Sequence, residues 1–132
     1  MASIFTRIIR GEIPCYRIAE TDTCLAFLDI RPNVEGHTLC IPKLERDYLF
    51  DLPEDWYTDL LLFSRRVAKG LGRAFPDRRV GVLVVGTEVP HAHIHLIPFQ
   101  HEGQMNLSAP KLDMDAAGMA ATADLIARSM GA

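Results

Sequence analysis

The chain has 132 residues, of which 48% are hydrophobic and 23% charged, and its formal net charge is −3 at pH 7. This length and composition predict one soluble globular domain spanning residues 1–132. The net negative charge gives no reason to expect nucleic acid as a partner, and the apolar runs are too short to predict a membrane-spanning helix. We therefore expect neither nucleic acid nor a membrane as a partner.

The cysteines, at positions 15, 24 and 40, are odd in number and form no Cys-x-x-Cys pair. Arginines interrupt the short apolar stretch of the first ten residues, which is unlike a secretory signal peptide. We therefore expect free thiols and a location in the reducing cytoplasm.

The predicted elements begin with a short helix. Ser3 is a suitable N-cap, the apolar residues Phe5, Ile8 and Ile9 share one side, and Gly11 ends the helical pattern. Three strands are predicted next, over 16–20, 24–29 and 36–41, with a hairpin turn at 21–23 and a proline at position 42 after the third.

A long helix is predicted from Asp51, as N-cap with Glu54 three positions on, to about position 75. The apolar run 60–63 covers more than one narrow stripe of this helix, which suggests a second buried face against another subunit. Two further strands, 80–85 and 91–99, precede an Ala-rich helix over 116–130. Short links between consecutive strands indicate an antiparallel sheet, so the predicted fold class is α+β.

The most informative segment is 91–97, which reads His-Ala-His-Ile-His-Leu-Ile. Alternation of histidine with apolar residues has the period of a β-strand, so His91, His93 and His95 are expected to project from one face. The intervening apolar residues should point into a core. Successive histidines would lie about 6.5 Å apart, which lets neighbouring imidazoles flank one small polar group.

Three kinds of site would use such a row of histidines. A neutral imidazole could attack phosphorus while its neighbours donate hydrogen bonds to the phosphoryl oxygens. The His-x-His spacing also suits a metal ion, for which His37 is an available further ligand. The third alternative is a set of hydrogen-bonded histidines with no activity. The residues by themselves leave all three open.

The histidine motif, together with the segments 3–14, 25–30 and 36–43, resembles the histidine triad (HIT) superfamily and within it the Hint-like branch. The resemblance covers roughly residues 3–99. It implies a HIT-like fold, with a five-stranded antiparallel sheet, one long helix and one or two shorter ones. The helix at about 113–130 is then an extension of the HIT domain, and the protein is expected to be a homodimer.

The resemblance also implies roles for individual residues. His93 would attack the α-phosphorus of a nucleoside monophosphate derivative, His95 would contact the phosphate oxygens, and His91 and His37 would form the supporting network. Asp29 would hold the ribose, although a strand-ending turn residue is an alternative reading. Further nucleotide-binding residues, several of which could equally be core or turn residues, are Phe5, Ile8, Phe27, Leu28, Ile30, Asn33, Glu88 and Val89.

The chain departs from the family pattern at two places. Glu88 stands where relatives have a phosphate-binding hydroxyl, so it either transfers a proton to the leaving group or faces elsewhere. Ser3 and Thr6 stand where some bacterial relatives have two zinc-binding cysteines. Because hydroxyls cannot replace thiolates in such a site, we expect no zinc and no cofactor.

The resemblance thus predicts a hydrolase or transferase for a purine nucleotide substrate, a phosphoramidate or an acyl nucleotide, that forms a nucleotidyl-His93 intermediate. Alternatives are a dinucleoside polyphosphate hydrolase, a nucleotide-binding interaction module with little turnover, and a metal protein using His37 and the triad.

Overall fold

A computed structural model describes residues 2–131, so Met1 and Ala132, the ends of the predicted domain range, lie outside the described residues. Five antiparallel strands form one sheet in the order β1-β2-β3-β5-β4. The strands are β1 (Arg17–Glu20), β2 (Cys24–Leu28), β3 (Thr38–Pro42), β4 (Arg79–Leu83) and β5 (Ile94–Phe99). The helices are α1 (Ile4–Ile9), α2 (Glu54–Ala74) and α3 (Ala116–Met130), with short 3-10 turns at Leu49–Asp51 and Glu102–Met105. This architecture confirms the predicted α+β, HIT-like fold.

The sheet is covered on both sides because successive strand residues point in opposite directions. On one side, called the α2/α3 side, Cys40, Ile94 and Leu96 pack against buried residues of the two longer helices, such as Phe63 and Ile126. On the other side, called the α1 side, an apolar cluster joins the short helix to the strands; its members are Phe5, Ile8, Leu25, Phe27, Leu39 and Ile41. The histidine motif contributes Ala92, Ile94 and Leu96 to the α2/α3 side, as its alternation predicted.

Two predicted boundaries are wrong. Asp51 is not the N-cap of the long helix; it ends the preceding 3-10 turn, and α2 begins at Glu54 after Pro53. Strand β5 begins at Ile94 rather than at position 91, because Ala92 donates its N–H to the carbonyl of Arg46 and not to a neighbouring strand. In the run 60–63, Leu60 and Phe63 are buried and the two leucines between them are 40% and 48% exposed, so a second face buried against another subunit stays a prediction. Within residues 2–131, no helix has the length and apolarity needed to cross a membrane.

Gly36, which precedes His37, is required by both its backbone and its surroundings. Its φ is 92°, a conformation that side chains disfavour, and an added Cβ would lie 2.6 Å from Cε2 of Phe75 and 3.0 Å from Cγ of Pro98. The turn that carries His37 therefore packs directly against the end of α2.

Replacing Gly36 with alanine is expected to lower the free energy of unfolding by about 2–4 kcal/mol, since backbone strain and overpacking add. Gly11→Ala is the matched control, because Gly11 has a similar φ of 79° but open space around the added Cβ. It should cost only about 1 kcal/mol. Urea denaturation measures the free energy of unfolding of both variants. Equal losses of stability would show that the contact with Phe75 is unimportant.

Candidate active site

Four histidines meet on the α1 side of the sheet. His91 and His93 precede β5, His95 lies in that strand, and His37 directly precedes β3. Strand β3 pairs with β5, with Leu39 opposite His95, so His37 lies beside the motif. All four are buried, with at most 6% of each residue exposed. The grouping predicted for His37, His91, His93 and His95 is therefore present.

The hydrogen bond that His93 makes to the main chain determines the tautomer of its neutral ring. Its Nδ1 lies 2.8 Å from the carbonyl oxygen of His91. Because a carbonyl oxygen can only accept, the proton is assigned to Nδ1, and in the neutral ring Nε2 keeps its lone pair. The rings of Phe5 and His95 pack edge-on against His93, with centroids 5.1 and 5.0 Å away. Nε2 is therefore the atom of this ring that can attack an electrophile.

A chain of hydrogen bonds assigns the protons of His37 and His95. The backbone N–H of Asn33 donates to Nδ1 of His37 over 2.9 Å. The proton of neutral His37 is therefore on Nε2, which donates to Nδ1 of His95, also over 2.9 Å. His95 is left with its proton on Nε2, the form of the ring that can donate to an oxyanion.

His91 is held from both sides by protein groups. Its Nε2–H donates to the carbonyl oxygen of Pro42 and its Nδ1 accepts from the hydroxyl of Ser3, each over 2.8 Å. Ser3 caps α1, and Glu45 accepts from the backbone N–H of Ser3 and from the hydroxyl of Thr6. These bonds anchor α1 beside the histidines. His91 binds His93 through its backbone carbonyl, since both nitrogens of the His91 ring are already bonded.

Burial keeps the supporting histidines neutral. It lowers the pKa of His37 to about 3, with the charges of His95 and Lys111 acting in the same direction. It lowers the pKa of His95 to about 4, again with help from His93 and Lys111. The pKa of His91 is also lowered by burial, although the Pro42 carbonyl and Glu45 oppose the shift. Neutral rings have the donor and acceptor nitrogens that the hydrogen bonds require.

Asp29 follows β2 and lies at the edge of this histidine cluster. Its Oδ1 accepts the backbone N–H of Arg31 over 2.9 Å, and its Oδ2 is 3.7 Å from Nε2 of His37. Burial raises the pKa of this carboxyl, and the hydrogen bond from Arg31 and the charge of Lys111 oppose that rise. The side chain remains partly exposed, so ribose binding by Asp29 stays a prediction.

The apolar residues predicted to enclose the base divide into two groups. Phe5, Ile8 and Phe27 are buried together beside the histidines, and Val89 packs against them. Ile30 is instead 72% exposed. Glu88 is exposed in the segment between β4 and β5, and its charge raises the pKa of Asp29. Nucleotide contacts from all six residues stay predictions.

The side chain of Leu28 lies away from this site. Leu28 is 2% exposed and packs in the core on the α2/α3 side, because it follows Phe27 in the strand and points the opposite way. A nucleotide contact from Leu28 can therefore come only from its backbone, which corrects the expectation for its side chain.

Asn33 is also occupied by protein contacts. Its Nδ2 donates to the carbonyl oxygens of Gln104 and Asn106, and its Oδ1 accepts from Nζ of Lys111 over 2.6 Å. The amide predicted to bind the nucleotide thus binds the segment after β5. The role of Asn33 in the site is instead its backbone hydrogen bond to His37.

Donor atoms of Asp29, His37 and His95 lie within 4.8 Å of one another, which is close enough to consider a metal ion. The hydrogen bonds argue against it. A neutral imidazole that ligates through Nε2 must carry its proton on Nδ1, but Nδ1 of His37 accepts the Asn33 N–H. At the second candidate metal site, Ser3 and Thr6 offer hydroxyls, which bind His91 and Glu45. Hydroxyls do not replace the thiolates that bind zinc in some relatives. The donor sets therefore fit hydrogen-bond networks better than a metal.

Sequence analysis did not find Lys111 or Glu45 as site residues. Glu45 is near the end of β3 and reaches α1, and Lys111 belongs to the segment between β5 and α3. Neither residue stands in a recognisable motif. The N-cap pattern at Ser3 is the one local signal. It indicates where a helix begins, but it does not indicate that Glu45 binds there.

The low pKa values of His37 and His95 predict that the protein loses stability as the pH falls. Both rings take up a proton near pH 6.5 in the unfolded chain but only near about 4 or about 3 in the folded protein. Between the folded and unfolded pKa values, the unfolded state thus binds more protons than the folded state. The free energy of unfolding should therefore fall by up to about 1.4 kcal/mol for each ring as the pH is lowered by one unit. Urea denaturation from pH 7.5 to 4.5 measures the slope. His37→Gln should make the slope shallower, and an unchanged slope would contradict this assignment.

Comparison with known proteins agrees with this geometry. A model of the HIT domain matches residues 10–102. Adenosine 5′-monophosphoramidase HNT1 of Saccharomyces cerevisiae is 39% identical over 102 residues, which is 76% of this chain. The chain spans just under two thirds of that protein, 65%. Adenosine 5′-monophosphoramidase hnt1 of Schizosaccharomyces pombe is 36% identical over 107 residues, and 77% of each chain is covered.

Solved structures show the same fold. A Hit-like protein involved in cell-cycle regulation from Bartonella henselae has a TM-score of 0.82 and 30% identity, over 96% of this chain and 95% of that one. A Zn-bound histidine triad family protein from Mycobacterium smegmatis has a TM-score of 0.84 and 25% identity, over 99% and 94%. With the domain match and the curated relatives, these similarities show that the chain belongs to the HIT family, in its Hint-like branch.

Proposed function

We propose that this protein is a phosphoramidase-like nucleotide hydrolase that acts at the α-phosphorus of a nucleoside monophosphate derivative. Two relatives named as adenosine 5′-monophosphoramidases support hydrolysis of this kind. The observation that carries the proposal is the hydrogen bond from Nδ1 of His93 to the His91 carbonyl, which in the neutral ring places the proton on Nδ1 and the lone pair on Nε2. A phosphoramidate or an acyl nucleotide, with a purine base, is the proposed substrate class.

The reaction proceeds in two displacements. Nε2 of His93 forms a bond to phosphorus while the bond from phosphorus to the leaving group breaks, and the leaving group takes a proton as it departs. Water then attacks phosphorus, which releases the nucleoside monophosphate and returns the electron pair to Nε2. Nε2–H of His95 donates to the phosphoryl oxygens, whose charge grows in both transition states. His37 supports this step by donating to Nδ1 of His95.

The remaining contacts follow from the surroundings of His93. Asp29 accepts hydrogen bonds from the ribose hydroxyls, and Phe5, Ile8 and Phe27 pack against the base. Glu88 lies on the exposed loop that leads to His91, and we assign it to the leaving group. Proton transfer from Glu88 to that group uses the carboxylic acid form, because a carboxylate has no proton to donate and also repels the phosphate.

The same proposal covers the extent and location of the protein. Residues 1–132 form one HIT domain with α3 as its C-terminal extension, since α3 packs Met119, Ala123 and Ile126 into the core that α2 shares. Within the described residues all three cysteines are free, which is consistent with a reducing cytoplasm.

Hydrolysis of an adenosine phosphoramidate with an amine leaving group tests the function. His93→Ala should lower kcat by about a thousandfold or more, since loss of a nucleophile removes the covalent route. His101→Ala, at an exposed histidine outside the cluster, is the control and should keep the wild-type rate. Equal rates for wild type and His93→Ala would leave only a nucleotide-binding module. Faster turnover of diadenosine polyphosphates would favour the alternative hydrolase.

The proposal includes a homodimer, with a second copy of the chain against the β4 edge of the sheet. Strand β4 is one of the two edge strands, and its Val82 is 62% exposed. An exposed apolar edge strand invites pairing with another strand, and two copies related by a two-fold axis present the same edge to each other. Leu61 and Leu62 add exposed apolar area on α2.

Sedimentation velocity should give the mass of two chains for wild type and of one chain for Val82→Lys, because a charge on the pairing edge must be desolvated. Leu112→Lys, at a residue that is 42% exposed and outside β4, is the matched control and should remain a dimer. A monomeric wild type, or a dimeric Val82→Lys, would exclude this interface.

A further inference from the structure

The segment that follows β5 returns to the turn between β2 and β3. Nδ2 of Asn33 donates to the carbonyl oxygens of Gln104 and Asn106, at 2.8 and 3.0 Å. The backbone N–H of Leu112 donates to the carbonyl of Pro32 over 2.8 Å. The match to the HIT model ends at residue 102, yet four residues beyond it bond to this turn at the edge of the histidine site; they are Gln104, Asn106, Lys111 and Leu112.

Lys111 completes this set of contacts. Its half-buried ammonium donates to Oδ1 of Asn33 over 2.6 Å and to the carbonyl of Leu107 over 2.8 Å. Every polar atom of the Asn33 side chain is therefore bonded to the segment 104–111. A hydrogen bond from an ammonium to a neutral acceptor is stronger than one between neutral groups. Lys111 thus makes the strongest of the contacts that hold Asn33.

Asn33 connects that segment to the histidines. Its backbone N–H donates to Nδ1 of His37, and Nε2 of His37 donates to His95. Movement of the turn at Asn33 would free Nδ1 of His37 and allow its proton to sit on either nitrogen. In the other tautomer Nε2 has no proton to donate, and the proton of His95 would no longer be confined to Nε2.

We propose that Lys111 is a positioning residue for the His37–His95 pair: its ammonium holds the Asn33 side chain, and with it the turn whose backbone N–H sets the proton on His37. The charged and titratable groups around the pair are consistent with this role. They are Lys111, His93 and Asp29, with Glu88 acting on Asp29. The Lys111 charge also lowers the pKa of both rings, which favours the neutral forms that the relay needs.

The catalytic part of this inference rests on the proposed hydrolase function, so its test has one readout with turnover and one without. Lys111→Met removes the ammonium but keeps most of the side-chain volume, and Lys111→Arg restores a cationic donor. Lys69→Met, at an exposed lysine of α2, is the matched control. Each variant is compared with wild type by histidine-ring ¹⁵N NMR and by phosphoramidate kinetics.

In wild type the NMR spectrum should show His37 with a protonated Nε2 and an unprotonated Nδ1. Lys111→Met should mix the two tautomers and raise the pKa of His37, while Lys69→Met should change neither. Lys111→Met should also lower kcat roughly tenfold, the effect of losing one hydrogen bond to a charged group, with KM within about twofold. Lys111→Arg should restore most of the single His37 tautomer and most of kcat. A role in stability alone would lower the melting temperature without changing the tautomer.

A wild-type His37 spectrum that persists in Lys111→Met would overturn the proposal, whatever the kinetics. A higher KM with unchanged kcat would also overturn it, because Lys111 would then bind substrate directly. An inactive wild type would refute the proposed function instead, and the NMR comparison would still decide the role of Lys111.

Discussion

Main-chain groups hold three of the four site histidines, and each group determines which ring nitrogen carries the proton. The Asn33 N–H can only donate to His37, whereas the carbonyls of His91 and Pro42 can only accept from His93 and His91. A backbone group has no pKa in the working range and no rotamer to change. In the neutral rings, these backbone groups therefore place the lone pair of His93 on Nε2 and, through His37, the proton of His95 on Nε2.

This arrangement requires the imidazoles to be buried, and burial has a thermodynamic consequence. Burial disfavours the charged form of an imidazole, and this lowers the pKa of His37 and of His95. Gly36 allows the turn that carries His37 to pack against Phe75. This packing brings the imidazole of His37 within reach of β5. Stability and site geometry therefore depend on the same contacts.

Two segments outside the sheet support the histidines from opposite ends of the chain. Ser3 and Thr6, near the N-terminus, form a hydrogen-bonded network with Glu45 and His91. After β5, residues around Lys111 bind the turn at Asn33. Both networks act on residues beside the reacting groups, so each offers a place where this chain can differ from its relatives without changing the histidines.

The sequence by itself determined the local features: the alternation that directs Ala92, Ile94 and Leu96 into the core, the α+β element order and the histidine motif with its family. These follow from short-range periodicity and from residue types that are rare in combination. It could not determine that β5 begins at Ile94, that Leu28 points away from the site, or that Asn33 is bonded to Lys111. Those features depend on partners distant in the chain, such as Arg46 for Ala92 and Lys111 for Asn33. Only the tertiary structure decides them, because a hydrogen bond between distant residues leaves no local pattern.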